Sequence, residues 1–411
     1  MSKDMAFRSG IFKRLFELVK WVLFASITGV VAGLVGVALV KSISFVGAIR
    51  EANWWVVLLM PLVGMLIVWL YRICGRDSDS GTNAVLAAVR NKEEIHLRTT
   101  VLIWISTVLT QFVGGSAGRE GAALQFGGSL GEALGKLFKL DSKAKSVMIM
   151  SGMSAAFSAV FGVPLAAIVF PMEVVSVGIM RYSALVPCTI ASMVAHEIAL
   201  LFAVGHEAYL LPTDVSFGLV GYAALALCAL LGSVVSILFI RGLHYGETLL
   251  EKHVQNSYLR IFVGGVVLVV LTMIFGTDYN GLGSAIITEA INLGKATPYA
   301  FLLKMIFTII TISVGFRGGE IVPTFFIGAT LGATIGAVLG FEPGLCAAFG
   351  MIAVFCGATN CPLASLLIAC ELCGFEYALY FMVIIAITYM VSGSSSLYKT
   401  QLRIDDSKGN D

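Results

Sequence analysis

The chain has 411 residues, of which 58% are hydrophobic and only 13% are charged, and its mean hydropathy is +0.92. Soluble domains contain about 45–50% apolar and about 25% charged residues, so this composition excludes an ordinary soluble protein and predicts a polytopic, all-α membrane protein. The net charge is only +2 and the basic residues lie in short loops, which excludes the clustered basic face of a nucleic-acid-binding protein.

The N-terminal segment is basic and leads directly into an apolar run. Its cations are Lys3, Arg8, Lys13, Arg14 and Lys20. An excess of Lys and Arg marks the cytoplasmic side of a membrane, so we expect the N-terminus in the cytoplasm. No small-residue cleavage site follows, and we therefore expect no removable signal peptide.

Many apolar segments follow one another along the chain, separated by brief polar stretches. They span residues 15–46, 54–71, 99–113, 122–137, 146–160, 163–180, 184–204, 217–240, 258–276, 299–315, 322–340, 345–357, 361–373 and 376–394. Several are shorter than the ~20 residues that an upright span needs. Short, glycine-interrupted segments are typical of broken and re-entrant helices that build a binding site near the middle of the membrane. The short polar end after residue 394 predicts no soluble regulatory domain.

A pattern in the first half of the chain recurs about 200 residues later. Gly152 to Phe157, followed by Pro164 and Glu173, returns at an offset of 198 as Gly350 to Phe355, Pro362 and Glu371. A glycine ladder precedes each copy, at positions 127, 131 and 135 and again at positions 328, 332 and 336. These repeats predict a duplicated, transporter-like scaffold with halves at residues 1–205 and 206–411. The residues alone leave open whether the halves are parallel or inverted.

The most informative stretch is Gly118-Arg119-Glu120-Gly121, a charged pair among glycines between apolar runs. Ionisable groups at membrane depth are costly and usually mark an ion or proton pathway. The matching place in the second half reads Arg317-Gly-Gly-Glu320-Ile321-Val322-Pro323. Glycine loops at helix N-termini present free N–H groups to an anion. The sequence thus predicts two half-sites facing one anion, beside titratable carboxylates; the alternative is that the glycines only form turns and the glutamates reach interfacial water.

Two further segments are candidate anion contacts. Ser80, Gly81, Thr82 and Asn83 precede a predicted helix at residues 84–89 and could offer hydroxyl and N–H groups, although a plain loop with a helix cap is the alternative. Tyr398 follows a run of small residues near the C-terminus. Its phenol could donate to an anion, and a lone tyrosine could equally anchor the chain at the membrane interface.

These residues carry a family resemblance that covers nearly the whole chain: the sequence resembles the CLC anion channels and transporters. Residues 118–121 match the G-R-E-G-P signature, residues 319–323 match the G-x-F-x-P loop, and Tyr398 matches the anion-contacting tyrosine. The resemblance implies a homodimer with one pathway per subunit and two inverted halves. It also implies that Glu120 is the gating glutamate, which carries protons, and that residues 80–83, Gly118, Arg119, Gly121, Gly319, Ile321, Val322 and Tyr398 form the anion site.

The departures from the family pattern are specific. Ala122 replaces the signature proline, Thr82 and Asn83 replace Ile-Pro in the first loop, and Ile321 replaces a phenylalanine. Glu320 adds a carboxylate to the second loop, and Val174 stands where the inner proton-transfer glutamate is expected. This set is similar to the bacterial fluoride-exporting branch of CLC antiporters.

The resemblance implies a fluoride/proton antiporter in the bacterial inner (plasma) membrane, multi-pass and with both termini cytoplasmic. Within the family, a chloride/proton exchanger or a passive anion channel is the alternative. Burial of two nearby carboxylates makes a shared proton plausible, and we therefore expect Glu320 to couple or line the fluoride path. We expect no cofactor, no metal and no enzymatic activity, because no nucleophile or metal cluster accompanies the carboxylates.

Other polar residues receive structural interpretations. We expect Glu173 and Glu371 to bind backbone N–H groups, with a proton-carrying role as the alternative. Lys304 lies in an apolar segment, and we expect its amine to extend to the membrane interface. The eight cysteines are expected to pack between helices.

Overall fold

The structure is a computed structural model that describes residues 3–75, 81–90, 95–205, 207–213 and 215–403. Ser80, one of the predicted anion contacts, lies outside the described residues. Within them the chain forms sixteen α-helices, two short 3₁₀ turns and one two-stranded sheet. Seven of the helices are long and apolar enough to cross a membrane, which agrees with the predicted class.

The first eight helices and the first strand belong to the first half of the chain. They are α1 (Lys3–Ala52), α2 (Met60–Ile73), α3 (Thr82–Val89), α4 (Leu97–Phe112), α5 (Glu120–Leu137), α6 (Ser142–Phe161), α7 (Pro164–Val174), β1 (Ser176–Val177) and α8 (Leu185–Leu201). The 3₁₀ turns, Trp54–Leu59 and Tyr182–Ala184, precede α2 and α8.

The second half supplies the other eight helices and the second strand. They are α9 (Leu219–His253), α10 (Ser257–Phe275), α11 (Ser284–Asn292), α12 (Ala300–Val314), α13 (Ile321–Leu339), α14 (Pro343–Thr359), α15 (Pro362–Cys373), α16 (Ala378–Ser392) and β2 (Leu402–Arg403). The predicted division of the chain at residues 205 and 206 falls between α8 and α9.

Three elements differ from the sequence-based expectation. Helix α9 continues to His253, through a polar stretch where the apolar segment ended at residue 240. Helix α11 lies where no apolar segment was expected. Strands β1 and β2 pair in parallel, with Ser176 opposite Leu402, so the C-terminal segment is fixed to the end of α7.

Two sets of reciprocal contacts relate the halves by an internal two-fold axis. Both oxygens of Glu173, near the end of α7, accept N–H bonds at the start of α15, from Leu363 at 3.1 Å and Ala364 at 2.9 Å. Glu371, near the end of α15, does the same at the start of α7, with Leu165 at 2.7 Å and Ala166 at 2.8 Å. Because equivalent helices run antiparallel, the repeat is inverted, and the predicted backbone-binding role of both glutamates is confirmed.

The glycine ladders bring the helices that carry the site into backbone contact. A Cβ atom added to Gly131 of α5 would overlap the backbone of α6 at Met148, and one added to Gly332 of α13 would overlap α14 at Cys346. Such close approach is the use of small residues between membrane helices. It fixes α5 and α13 rigidly, with their N-termini in the interior of the protein.

Candidate functional site

Glu120 begins α5, and its side chain reaches across to the N-terminus of α13. Oε1 accepts a hydrogen bond of 2.9 Å from the N–H of Val322. The residue is fully buried, and its Oε2 has no hydrogen-bond partner among the described residues. The first N–H groups of a helix lack intrahelical acceptors and favour negative charge. The carboxylate therefore occupies a place where a small anion would be stabilised.

The two glycine loops meet at the two-fold axis. The N–H of Gly118 donates to the carbonyl of Gly319 at 2.6 Å, and the N–H of Gly319 donates to the carbonyl of Gly118 at 2.9 Å. In this conformation both donors are used by the bridge, so neither N–H group faces an anion here, and the anion contact at these two residues stays a prediction. The donors that remain at this junction are those of the first turns of α5 and α13, which begin at Glu120 and Ile321.

A cavity of about 330 Å³ opens on one side of this junction, and we call it the Glu320 cavity. Five of the predicted site residues that the structure describes line it, namely Gly81, Thr82, Asn83, Glu320 and Tyr398. Glu320 is only partly buried and is the residue preceding α13, whereas Tyr398 is 5% exposed. The structure thus joins the first loop, the second loop and the tyrosine at one cavity.

Asn83 and Thr82 of the Glu320 cavity have different hydrogen-bond partners. The amide oxygen of Asn83 accepts a bond of 3.2 Å from the N–H of Thr400, so it ties α3 to the C-terminal segment. Thr82 accepts a bond of 3.5 Å from Nε2 of Gln125. Oε1 of Gln125 is buried without a partner. Sequence reasoning missed Gln125, although an amide in the second turn of α5, after the small and apolar residues 121–124, was a usable signal.

Arg119 lies apart from the Glu320 cavity. Its side chain lines a small enclosed space of about 10 Å³ with Glu207, Ser284 and Val322, among others. It interacts electrostatically with Glu207 and with Glu120. The predicted anion contact at Arg119 is thus on the opposite side of the gate-like junction from Gly81 and Tyr398.

The described residues 207–213 belong to the linker between α8 and α9, and Glu207 of this linker lies beside Arg119. The hydroxyl of Tyr209 donates to Glu207 at 2.8 Å, and the N–H of Tyr209 donates to the carbonyl of Leu372 at 2.7 Å. Tyr209 is 4% exposed. This part of the linker is therefore packed against the protein, and it places a carboxylate beside the buried guanidinium.

Lys304 does not reach the membrane interface, so that expectation is wrong. The residue is fully buried, and its Nζ donates to the carbonyls of Tyr279 at 3.1 Å and Gly281 at 2.7 Å. It also lies over the ring of Phe326 in α13, 5.1 Å from the centroid. The amine is retained in the interior because carbonyl oxygens and an aromatic face replace its water.

Comparison with known proteins assigns the chain to a family. The family model described as "Voltage gated chloride channel" matches residues 63–393. The chain belongs to this CLC family. A chloride/fluoride channel protein of Pseudomonas syringae pv. tomato is 34% identical over 399 residues, which are 95% of this chain and 88% of that protein.

Solved CLC structures share the fold. The crystal structure of a CLC-type fluoride/proton antiporter superposes with a TM-score of 0.91 at 32% identity, over 94% of this chain and 99% of that one. A slow cyanobacterial Cl⁻/H⁺ antiporter gives a TM-score of 0.79 at 19% identity, over 90% and 94% of the two chains, and shares the fold alone. The protein is thus an all-α CLC membrane protein with an inverted repeat and broken helices.

Proposed function

We propose that this protein is a fluoride/proton antiporter that exports fluoride from the bacterial cytoplasm. The observation that carries the proposal is the buried carboxylate of Glu120 bound to the N–H of Val322, at the N-terminus of α13. The similarity to a chloride/fluoride channel protein and to a fluoride/proton antiporter, both above 30% identity, supports the choice of ion.

In the proposed mechanism, Glu120 and the anion alternate at one position. The ionised carboxylate fills the helix N-terminus and blocks the path. Protonation removes its charge, so the side chain can leave and a halide can take the N–H groups in its place. Each passage of the anion thereby requires a proton on Glu120, which links the two movements.

Fluoride in particular suits a path lined by carboxyl groups. It is small and strongly hydrated, so a site must replace its water with strong donors. A protonated carboxyl group offers an O–H donor, whereas an ionised one repels the anion. Glu320 stands at the boundary between the Glu320 cavity and α13, where it can supply such a donor and pass protons toward Glu120.

We further propose the anion contacts and the setting of the protein. Gly81, Thr82, Gly121, Ile321, Val322 and Tyr398 contact the ion along the path, whereas Arg119 acts on it from the far side of the gate. Ser80, which lies outside the described residues, is a further proposed contact. Two copies form a homodimer in the inner membrane, each with its own pathway. Both termini face the cytoplasm, so the Glu320 cavity, which the C-terminal segment lines, is the inner cavity. The halves are residues 1–205 and 206–411.

Efflux from proteoliposomes tests the proposal. Fluoride and chloride release would be followed with ion electrodes, and internal pH with a dye, for wild type, Glu120→Gln and the control Glu289→Gln at an exposed carboxylate. We expect fluoride to leave faster than chloride with protons moving inward. Glu120→Gln should reduce proton movement at least about tenfold, or about 1.4 kcal/mol in barrier, and Glu289→Gln should match wild type.

Each failure has a distinct meaning. Equal rates for chloride and fluoride would replace the fluoride exporter by a chloride/proton exchanger. Fluoride release without proton counterflow would make the protein a passive anion channel.

A further inference from the structure

A second cavity, of about 540 Å³, lies at the end of α1 that is remote from the N-terminus, and we call it the Arg50 cavity. Its polar lining includes Arg50, Gln111, Asn280 and Ser284, and Trp54 forms part of its apolar wall. It shares no lining residue with the Glu320 cavity. Leu282 and Ser284 also line the small space that holds Arg119, so the Arg50 cavity is on the Arg119 side of Glu120.

Arg50 presents a cation to this cavity, and the carboxylate of its chain neighbour Glu51 interacts with it electrostatically without forming an ion pair among the described residues. One guanidinium nitrogen donates to the carbonyl of Gln111 at 2.6 Å. Among the described residues, no Asp or Glu oxygen lies within ion-pair distance of it. Most of its five N–H donors therefore remain available for an acceptor in the cavity.

Asn280 contributes a donor that the protein leaves unused. Its amide oxygen accepts a hydrogen bond of 3.1 Å from the hydroxyl of Thr272, which orients the side chain. The residue is only 5% exposed, and within the part of the chain that the structure describes its Nδ2 has no hydrogen-bond partner. Buried donors are normally satisfied, and Asn280 lines the cavity, so a turn of this side chain that exposes Nδ2 would give a ligand there a hydrogen-bond donor.

A second cation stands directly behind Asn280. The amine of Lys304 binds the carbonyls of Tyr279 and Gly281, the two neighbours of Asn280 in the chain. Lys304 also interacts electrostatically with Arg50. The basic side chains of Arg50 and Lys304 thus flank the amide of Asn280. The carboxylates of Glu51 and Asp278 also line the cavity.

We propose that the Arg50 cavity is a second anion site, which holds a small inorganic anion on the opposite side of Glu120 from the Glu320 cavity. Under the proposed function, on which this inference rests, the anion is fluoride that has passed the gate. The cavity wall is joined to the gate loop, because Nε2 of Gln111 donates to the carbonyl of Ala117 at 2.5 Å and the N–H of Gly281 donates to Gly114 at 3.3 Å. These two hydrogen bonds connect the cavity wall with the loop that precedes Glu120.

Halide binding to the purified protein in detergent tests the site without requiring transport. Isothermal titration with sodium fluoride and with sodium chloride would compare wild type, Arg50→Gln, Asn280→Ala and Asp278→Asn. We expect Arg50→Gln to weaken fluoride binding at least tenfold, about 1.4 kcal/mol. Asn280→Ala should weaken it severalfold, and since this change removes no charge, the loss reports the amide group and not the net charge of the cavity. Asp278→Asn should tighten binding, because it removes a repelling carboxylate from the lining.

The control is Arg72→Gln, which removes an exposed guanidinium outside both cavities and should leave binding unchanged. If Arg50→Gln does not fold, the opposite shifts expected for Asn280→Ala and Asp278→Asn still decide the matter. Unchanged binding in both would overturn the anion site. If wild-type liposomes transport neither ion while these shifts persist, the proposed function fails and the site remains; normal transport without the shifts removes the site alone.

Discussion

At the scale of single residues, two carboxylates lie at the junction of α5 and α13 in different surroundings. Glu120 is fully buried and bound to a helix N-terminus, whereas Glu320 is partly exposed to a cavity and interacts electrostatically with Glu120. Two neighbouring carboxylates disfavour a state in which both are ionised. A proton shared between them would connect the buried position with the Glu320 cavity.

Glu320→Gln therefore tests proton transfer directly. The change keeps the size of the side chain but removes its exchangeable proton, so we expect fluoride-driven proton movement to fall at least about tenfold, about 1.4 kcal/mol in barrier. Glu320→Asp, which retains a carboxylate, should recover part of it. The measurement is simultaneous fluoride and pH recording on liposomes. Glu251→Gln neutralises an exposed carboxylate of the same cavity and is the matched control; a Glu320→Gln exchanger as fast and as coupled as wild type would end the assignment.

At the scale of elements, α7 and α15 form an antiparallel pair. A glutamate near the end of each helix accepts hydrogen bonds from the first N–H groups of the other helix. The carboxylate of Glu173 accepts hydrogen bonds from the N–H groups of Leu363 and Ala364, and Glu371 accepts one from Leu165 in the equivalent way. A carboxylate at a helix N-terminus accepts hydrogen bonds from the free N–H groups and is attracted by the positive end of the helix dipole. The pairing gives both glutamates a structural purpose that requires no proton traffic.

Glu173→Gln should accordingly lower stability and leave coupling intact. The amide keeps one acceptor oxygen but loses the charge, and we expect a loss of about 1–3 kcal/mol in the free energy of unfolding. Glu371→Gln should behave similarly. An 11-residue helix is about 16 Å long, so the two losses should add in the double variant. Denaturation in detergent gives the stabilities and liposome assays give the proton flux; a lost proton flux at unchanged stability would instead assign Glu173 to the proton route.

At the scale of the whole molecule, the sequence predicted those features that recur in both copies of the repeat. The equal spacing from Pro164 to Glu173 and from Pro362 to Glu371 predicted the duplicated halves and the structural glutamates. The short helix α11 was missed because its nine residues mix apolar and polar types without a long apolar run. The interior position of Lys304 was missed as well, because only the folded turn at residues 279–281 supplies the carbonyl oxygens that hold it.

The bridge between Gly118 and Gly319 was also beyond the sequence, since nothing local reveals a contact across 201 positions. Composition and motif could place the two loops at helix N-termini, but not decide which N–H groups would face an ion. That choice depends on how closely the two halves approach at the axis. The free donors belong to the helix first turns only because the glycines bind each other.

Gly121→Ala tests how tightly the halves must meet. Alanine is the better helix former by about 1 kcal/mol at an open position, but here its Cβ would lie 2.8 Å from the carbonyl oxygen of Gly318 and 3.0 Å from Cα of Gly319. Because backbone atoms cannot yield as side chains do, we expect a net loss of about 1–3 kcal/mol in stability. Fluoride efflux should fall too, since separating the loops moves Glu120 from α13. Gly218→Ala is the control, as its Cβ would have no neighbour within 4 Å. Thermal unfolding in detergent and liposome efflux give the comparison, and a Gly121→Ala protein equal to wild type in both would show that the junction tolerates separation.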